Sequence, residues 1–121
     1  MRKNIYQNQN NIKEKNPLLV GITGEFASQK FEILRSGIMM GRDPISCNII
    51  FSDKTPGISR HHCIIFYNTQ TNMFIIKDLN SMNGTYLQSG IAIKPENPTA
   101  IYAGSRFWLC DEKNIFELRA E

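Results

Sequence analysis

Residues 57–66 read GISRHHCIIF, a hydroxyl, a guanidinium and two imidazoles gathered where an apolar run begins. Such a cluster can bind metal, catalyse, hold an anion or support a turn. In an extended chain adjacent side chains point to opposite faces, so His61 and His62 cannot easily share one ion. No CxxC or HExxH motif accompanies them, and no metal or cofactor is expected. Ser59 lies in no G-x-S-x-G elbow and no pair of acids flanks a conspicuous site, so no enzyme is expected either. An anion site fits better. A phosphate dianion needs several donors converging from more than one direction, preferably with a guanidinium among them. Three turn-rich segments supply them: GRDP with Arg42, TPGISR with Ser59 and Arg60, and NSMNGT with Ser81, Asn83 and Thr85.

The elements that would position these loops are strands. From Pro17 onward, short apolar runs rich in Ile, Phe and Tyr alternate with Gly, Pro, Asn, Asp or Ser. They lie at 18–23, 31–34, 38–40, 47–51, 62–67, 73–79, 85–87, 100–103, 106–110 and 114–118. That is a strand pattern, and many short strands without a helical period predict an all-β sandwich or barrel. Within 73–78, Phe74, Ile76 and Asp78 fall on one face and Ile75 and Lys77 on the other. The runs at 62–67 and 73–78 form a hairpin about NTQTN, which returns the loops at 55–60 and 79–84 to one end. Ser59, Arg60 and Asn83 are therefore expected as neighbours. Arg42 is different: one short strand separates it from Ser59, and simple parity puts it at the opposite end.

The 121 residues leave room for one domain. The opening MRKNIYQNQNNIKEKN is polar and predicts a tail over 1–16, disordered or ordered only against a partner. It has no apolar signal core, and no run approaches the roughly 20 apolar residues of a membrane span. A soluble, intracellular protein is expected. The net charge of +3 is mild and scattered, and nothing resembles an aromatic-basic stacking surface for nucleic acid. Cys47, Cys63 and Cys110 are odd in number and far apart, which suits reduced structural thiols.

Gly41-Arg42, then Ser59-Arg60-His61-His62 as S-R-x-H, then DLNSMNGTYL at 78–87, resembles the forkhead-associated (FHA) domain family. The resemblance extends through GSRFWLCDEKNIFEL and covers roughly 17–120, so an FHA domain is expected over 17–121. It implies a β-sandwich of two antiparallel or mixed sheets that binds phosphothreonine peptides through loops at one end. Arg42 would then join that end, the strand at 47–51 crossing between sheets. By the same matching, Arg42 and Ser59 contact the phosphate, Arg60 is a further donor, and Asn83 bonds the peptide backbone. His62 supports the loop from inside, Gly41 and Gly84 permit tight turns, and Thr85 is structural. Met82 stands beside the phosphate where the family often carries a polar residue. Gln88 and Gly104-Ser105 depart from the pattern without functional consequence. The function implied is a non-catalytic adaptor that tethers a phosphothreonine-bearing protein, with no small-molecule substrate. The alternative is a phosphate-independent scaffold subunit docked through the fold and its N-terminal arm.

Overall fold

Among the described residues, ten strands form where the apolar runs predict them. They are β1 (Pro17–Gly21), β2 (Lys30–Glu32), β3 (Ile38–Gly41), β4 (Ile49–Ile50), β5 (Cys63–Asn68), β6 (Met73–Asp78), β7 (Thr85–Leu87), β8 (Thr99–Tyr102), β9 (Arg106–Leu109) and β10 (Ile115–Ala120). The structure, a computed structural model, describes residues 15–121. Most of the polar tail expected over 1–16 thus lies outside the described residues. Asn16 already belongs to the fold, because it exchanges two backbone hydrogen bonds with Glu121 at 2.6 and 3.0 Å. Among the described residues no helix is long and apolar enough to cross a membrane.

The strands make two sheets of five, in the orders β2-β1-β10-β9-β7 and β4-β3-β5-β6-β8. The first is antiparallel throughout, and the second is antiparallel except where β4 runs parallel to β3. The β5–β6 hairpin forms with Cys63 opposite Asp78 and Asn68 opposite Met73. Asn72 turns it with φ at +58°, a backbone region that asparagine tolerates better than most residues. Phe74, Ile76 and Asp78 all point inward and are buried, as alternation predicts.

The parallel β4 resolves where Arg42 goes. Resemblance implies a crossing strand at 47–51, but β4 stays in the same sheet as β3, with Met40 opposite Ile49 and Gly41 opposite Ile50. Parallel neighbours ordinarily need a long crossover. Here seven residues suffice because the chain backs up by only about two residues, roughly 7 Å. The return is pinned where Asn48 N–H donates to the Met39 carbonyl and Met39 N–H donates to Asn48 Oδ1. Having travelled the same way as β3, β4 delivers residues 51–62 to the end where Arg42 already stands. Parity fails because it assumes that consecutive strands are antiparallel.

The inward faces meet in a core that includes Leu19, Met40, Ile65, Phe74, Phe107 and Leu118, all fully buried. Under the loops the core is aromatic: Phe26 and Phe51 pack edge to face with centroids 4.9 Å apart, and Phe51 meets Phe116 at 6.2 Å. The fully buried rings, Phe51 and Phe116, each contribute about 1.5–3 kcal/mol by burial. Phe26 lies on the β1–β2 connection and Phe51 opens the β4–β5 loop, so hydrophobic packing joins the bases of these two loops. The outer faces differ. On the first sheet Glu117 accepts from Arg106 Nε at 2.8 Å and Arg119 Nε at 2.6 Å, and these bonds hold its carboxyl below the usual range. The second sheet shows Met39, Ile64, Phe66, Met73, Ile75 and Tyr102, interrupted by Lys77 and Asn68.

Candidate anion-binding site

Arg42 leaves the end of β3 directly beside the segment before β5. Its N–H donates to the Ser59 carbonyl and the next N–H, of Asp43, to the Arg60 carbonyl, both at 3.1 Å. The chains approach so closely here that a Cβ on Gly41 would lie 2.1 Å from the Arg60 carbonyl oxygen. Only glycine fits, by contact rather than by φ. The Arg42 side chain is then steered by its own Nε, which donates to the Ile58 carbonyl at 2.6 Å. One edge of the guanidinium is thus fixed, and the side chain remains 35% exposed, so its terminal nitrogens can meet a ligand.

Ser59 is held from both sides. Its Oγ accepts the Met82 N–H at 2.9 Å, and its own N–H donates to His62 Nδ1 at 3.1 Å. Among the described residues no acceptor takes the Ser59 hydroxyl proton, so the hydroxyl can donate to an incoming anion. His62 is fully buried, and its Nε2 donates to the Gly84 carbonyl at 2.9 Å. An imidazole that accepts at Nδ1 and donates at Nε2 is neutral, and burial pushes its pKa down accordingly. One buried ring therefore connects the two loops. Asn83 adds a second tie, with Nδ2 donating to the Gly57 carbonyl at 3.0 Å.

The β6–β7 loop is built on Asp78, a buried carboxylate. It accepts the Ser81 N–H at 3.0 Å, the Ser81 hydroxyl at 2.6 Å and the Thr85 hydroxyl at 2.7 Å. Ser81 Oγ accepts in turn from Gly84 N–H at 3.0 Å. Gly84 takes φ +89°, a conformation costly for a side-chain-bearing residue. Thr85 is wholly buried beneath it, whereas the Met82 side chain stands in solvent, 87% exposed. Met82 thus offers its backbone N–H to the Ser59 oxygen and extends its thioether away from protein packing.

The structure brings Arg42, Ser59, Met82 and Asn83 to one end of the sandwich. Arg60 joins them only in part, because its Nη2 donates to Asp43 at 2.7 Å. Asp43 also takes the Ser46 hydroxyl, and His61 Nε2 lies 3.2 Å away. The Ser46 bond, aided by His61 and Arg60, holds the Asp43 carboxyl below its usual range against the opposing effect of burial. His61 and His62 thus face opposite ways, one half-exposed on Asp43 and the other in the core.

Two supports escaped sequence reasoning. Asp78 carries a readable signal, an inward-facing acid at a strand end with Ser three residues on, which suits an Asx-type turn. Glu25 carries none. It lies 27 residues from Ser52, yet accepts the Ser52 N–H and hydroxyl and the Thr55 hydroxyl.

A family model described as FHA domain matches residues 38–110, from β3 through β9, a span that includes Arg42, Ser59, Arg60, His62, Asp78, Met82 and Asn83 but not Glu25. The chain belongs to the FHA domain family. Among solved structures, the FHA domain of CT664 from Chlamydia trachomatis is 27% identical, with TM-score 0.71, covering 86% of this chain and 96% of that one. The FHA domain of an Arabidopsis thaliana hypothetical protein is also 27% identical, with TM-score 0.74 and coverages of 88% and 86%. The MEK1 FHA domain, solved in complex with a HOP1 phosphothreonine peptide, shares 23% identity at TM-score 0.68 over 87% and 96%. Among curated proteins no match was found. FHA domains are binding modules, and the two sheets of this one bring the loops that carry Arg42, Ser59 and Asn83 to one end of the sandwich.

Proposed function

We propose that this FHA domain is a phosphothreonine-peptide reader whose output is tethering. One observation carries the reading: the Ser59 oxygen is fixed by the Met82 N–H while its proton is uncommitted, next to a guanidinium locked through Nε to Ile58. A phosphothreonine brings close to two negative charges and three acceptor oxygens. The Arg42 terminal nitrogens supply charge-assisted donors, and the Ser59 hydroxyl supplies a directional neutral one. Arg60 contributes a second positive charge that Asp43 partly neutralises. Asn83 offers its side-chain oxygen to the peptide backbone while its amide nitrogen keeps Gly57. Met82 contributes no donor from its side chain. The bound FHA domain among the neighbours supports the same class of ligand, and the partner would be a phosphoprotein.

Arg42→Ala and Ser59→Ala should each weaken binding of a fluorescein-labelled phosphothreonine peptide about ten- to hundredfold, the loss expected when a charged hydrogen bond worth about 1.5–3 kcal/mol disappears. Met82→Thr should strengthen it by placing a hydroxyl near the phosphate. Anisotropy titration with the unphosphorylated peptide as control reads all three. Binding that persists in Arg42→Ala and after phosphatase treatment would sink the proposal and favour phosphate-independent docking.

A further inference from the structure

Asp53 lies beside the anion site but is outside everything assigned above. Its Oδ1 is 3.9 Å from Arg42 Nη1, and its side chain is 97% exposed. Solvent weakens such a pair, so it contributes little to stability. The backbone that carries it is nonetheless tied down. Ser52 N–H donates to both Glu25 oxygens at 3.1 Å, Ser52 Oγ approaches at 3.2 Å, and Thr55 Oγ1 donates at 2.5 Å. Within the turn, Thr55 N–H bonds the Ser52 carbonyl and Lys54 N–H bonds Ser52 Oγ. The backbone on either side of Asp53 is thus tied to the β1–β2 connection, which leaves the carboxylate projecting beside Arg42. Among the described residues Arg42 is the one cation it meets.

We propose that Asp53 is a specificity-determining residue of the site, a negative charge at its rim that selects phosphopeptides with basic residues beside the phosphothreonine. The inference rests on the phosphopeptide reading above and goes beyond it by naming the sequence class preferred. Net charge alone predicts the reverse. A chain of +3 with Arg42, Lys54 and Arg60 around the site would by itself favour acidic flanks. Asp53 opposes that trend locally. Any peptide reaching Arg42 brings its flanking side chains within a Debye length of this carboxylate, where a lysine is attracted and a glutamate or second phosphate is repelled. Because Asp53 also repels the phosphate itself, removing its charge should tighten neutral peptides while abolishing the preference.

The test uses three labelled phosphothreonine peptides of equal length, with Ala, Lys or Glu at the two positions on each side of the phosphothreonine. Anisotropy titrations would be run on the full chain, on Asp53→Asn and on Glu32→Gln. Glu32 is an exposed carboxylate on β2 at the opposite end of the sandwich, and its neutralisation changes net charge by the same amount. The wild type should prefer the Lys peptide over the Glu peptide by about two- to fivefold at low salt, the range open to one exposed charge. The preference should fade near 1 M salt, where the Debye length is about 3 Å. Asp53→Asn should lower the Lys-to-Glu ratio at least twofold and bind the Ala peptide up to several-fold tighter, with Glu32→Gln unchanged. A ratio that Asp53→Asn leaves intact, or that Glu32→Gln lowers equally, overturns this inference while leaving the phosphopeptide reading standing. Failure of all three peptides to bind the wild type, with the chain folded, overturns both.

Discussion

Replacing His62 by alanine tests the support of the site in isolation from its contacts with ligand. The imidazole is completely buried and is the acceptor for Ser59 N–H and the donor to Gly84 C=O. Truncation leaves both backbone groups without a partner, and an unsatisfied buried group costs about 1–3 kcal/mol. Water entering the vacated polar space recovers part of that, so a net loss of about 2–4 kcal/mol is expected. For a domain of this size each kcal/mol corresponds to about 3–6 °C. The melting temperature should therefore fall by about 6–24 °C, read by circular dichroism and by urea denaturation at 25 °C. The pH dependence supplies an independent check. Burial lowers the folded-state pKa of His62 from 6.5, because a charged ring would lose its hydration in the core. Below pH 6.5 the unfolded chain takes up the proton first, so wild-type stability is full above that pH. It then falls with decreasing pH, by at most about 1.4 kcal/mol per unit, until the folded pKa is passed. His62→Ala should lack that slope, since His61 remains in both proteins. A variant within about 0.5 kcal/mol of wild type, a level generally seen for surface changes, or one that keeps the slope, would refute the bridging role.

Gly41→Ala should destabilise the domain by about 1–3 kcal/mol and impair peptide binding, because its methyl must displace the Arg60 carbonyl; an unchanged melting temperature would contradict the close approach. Asp78→Ala should cost about 2–4 kcal/mol and raise amide exchange at Ser81 and Gly84, since three donors lose their acceptor; NMR hydrogen exchange reads it directly. Acid should act through Asp43 and Glu117, whose carboxyls are held below their ordinary values of 3.8 and 4.5. Their contribution is present above those values and is lost as pH falls through the folded pKa values. Glu117→Gln should therefore flatten the urea midpoint below pH 4.5 relative to wild type.

Much of the architecture is a local property of the chain, and the sequence alone determines it. Alternation of apolar residues and the Gly, Asn and Ser punctuation depend on neighbours a few positions away, so all ten strands are legible within a few residues. The NTQTN hairpin follows from such local chemistry too, and with it the meeting of Ser59 and Asn83. Phe74, Ile76 and Asp78 share a face by period alone, although nothing local says that Asp78 gathers three donors. The arrival of Arg42 is not local. It depends on β4 lying parallel to β3, a choice made by burying Ile49 and Phe51 against the rest of the core. Residue pattern encodes that a strand exists, but not which edge it joins or in which direction. The electrostatics of the rim are equally remote in sequence: Arg60 finds Asp43 17 residues away, and Ser52 finds Glu25 27 away. Charged and hydroxyl side chains have many possible partners along a chain, and only the packed sheets choose among them. The candidate donors for an anion are therefore legible as residue types, whereas the tertiary structure decides which remain uncommitted and which carboxylates stand beside them.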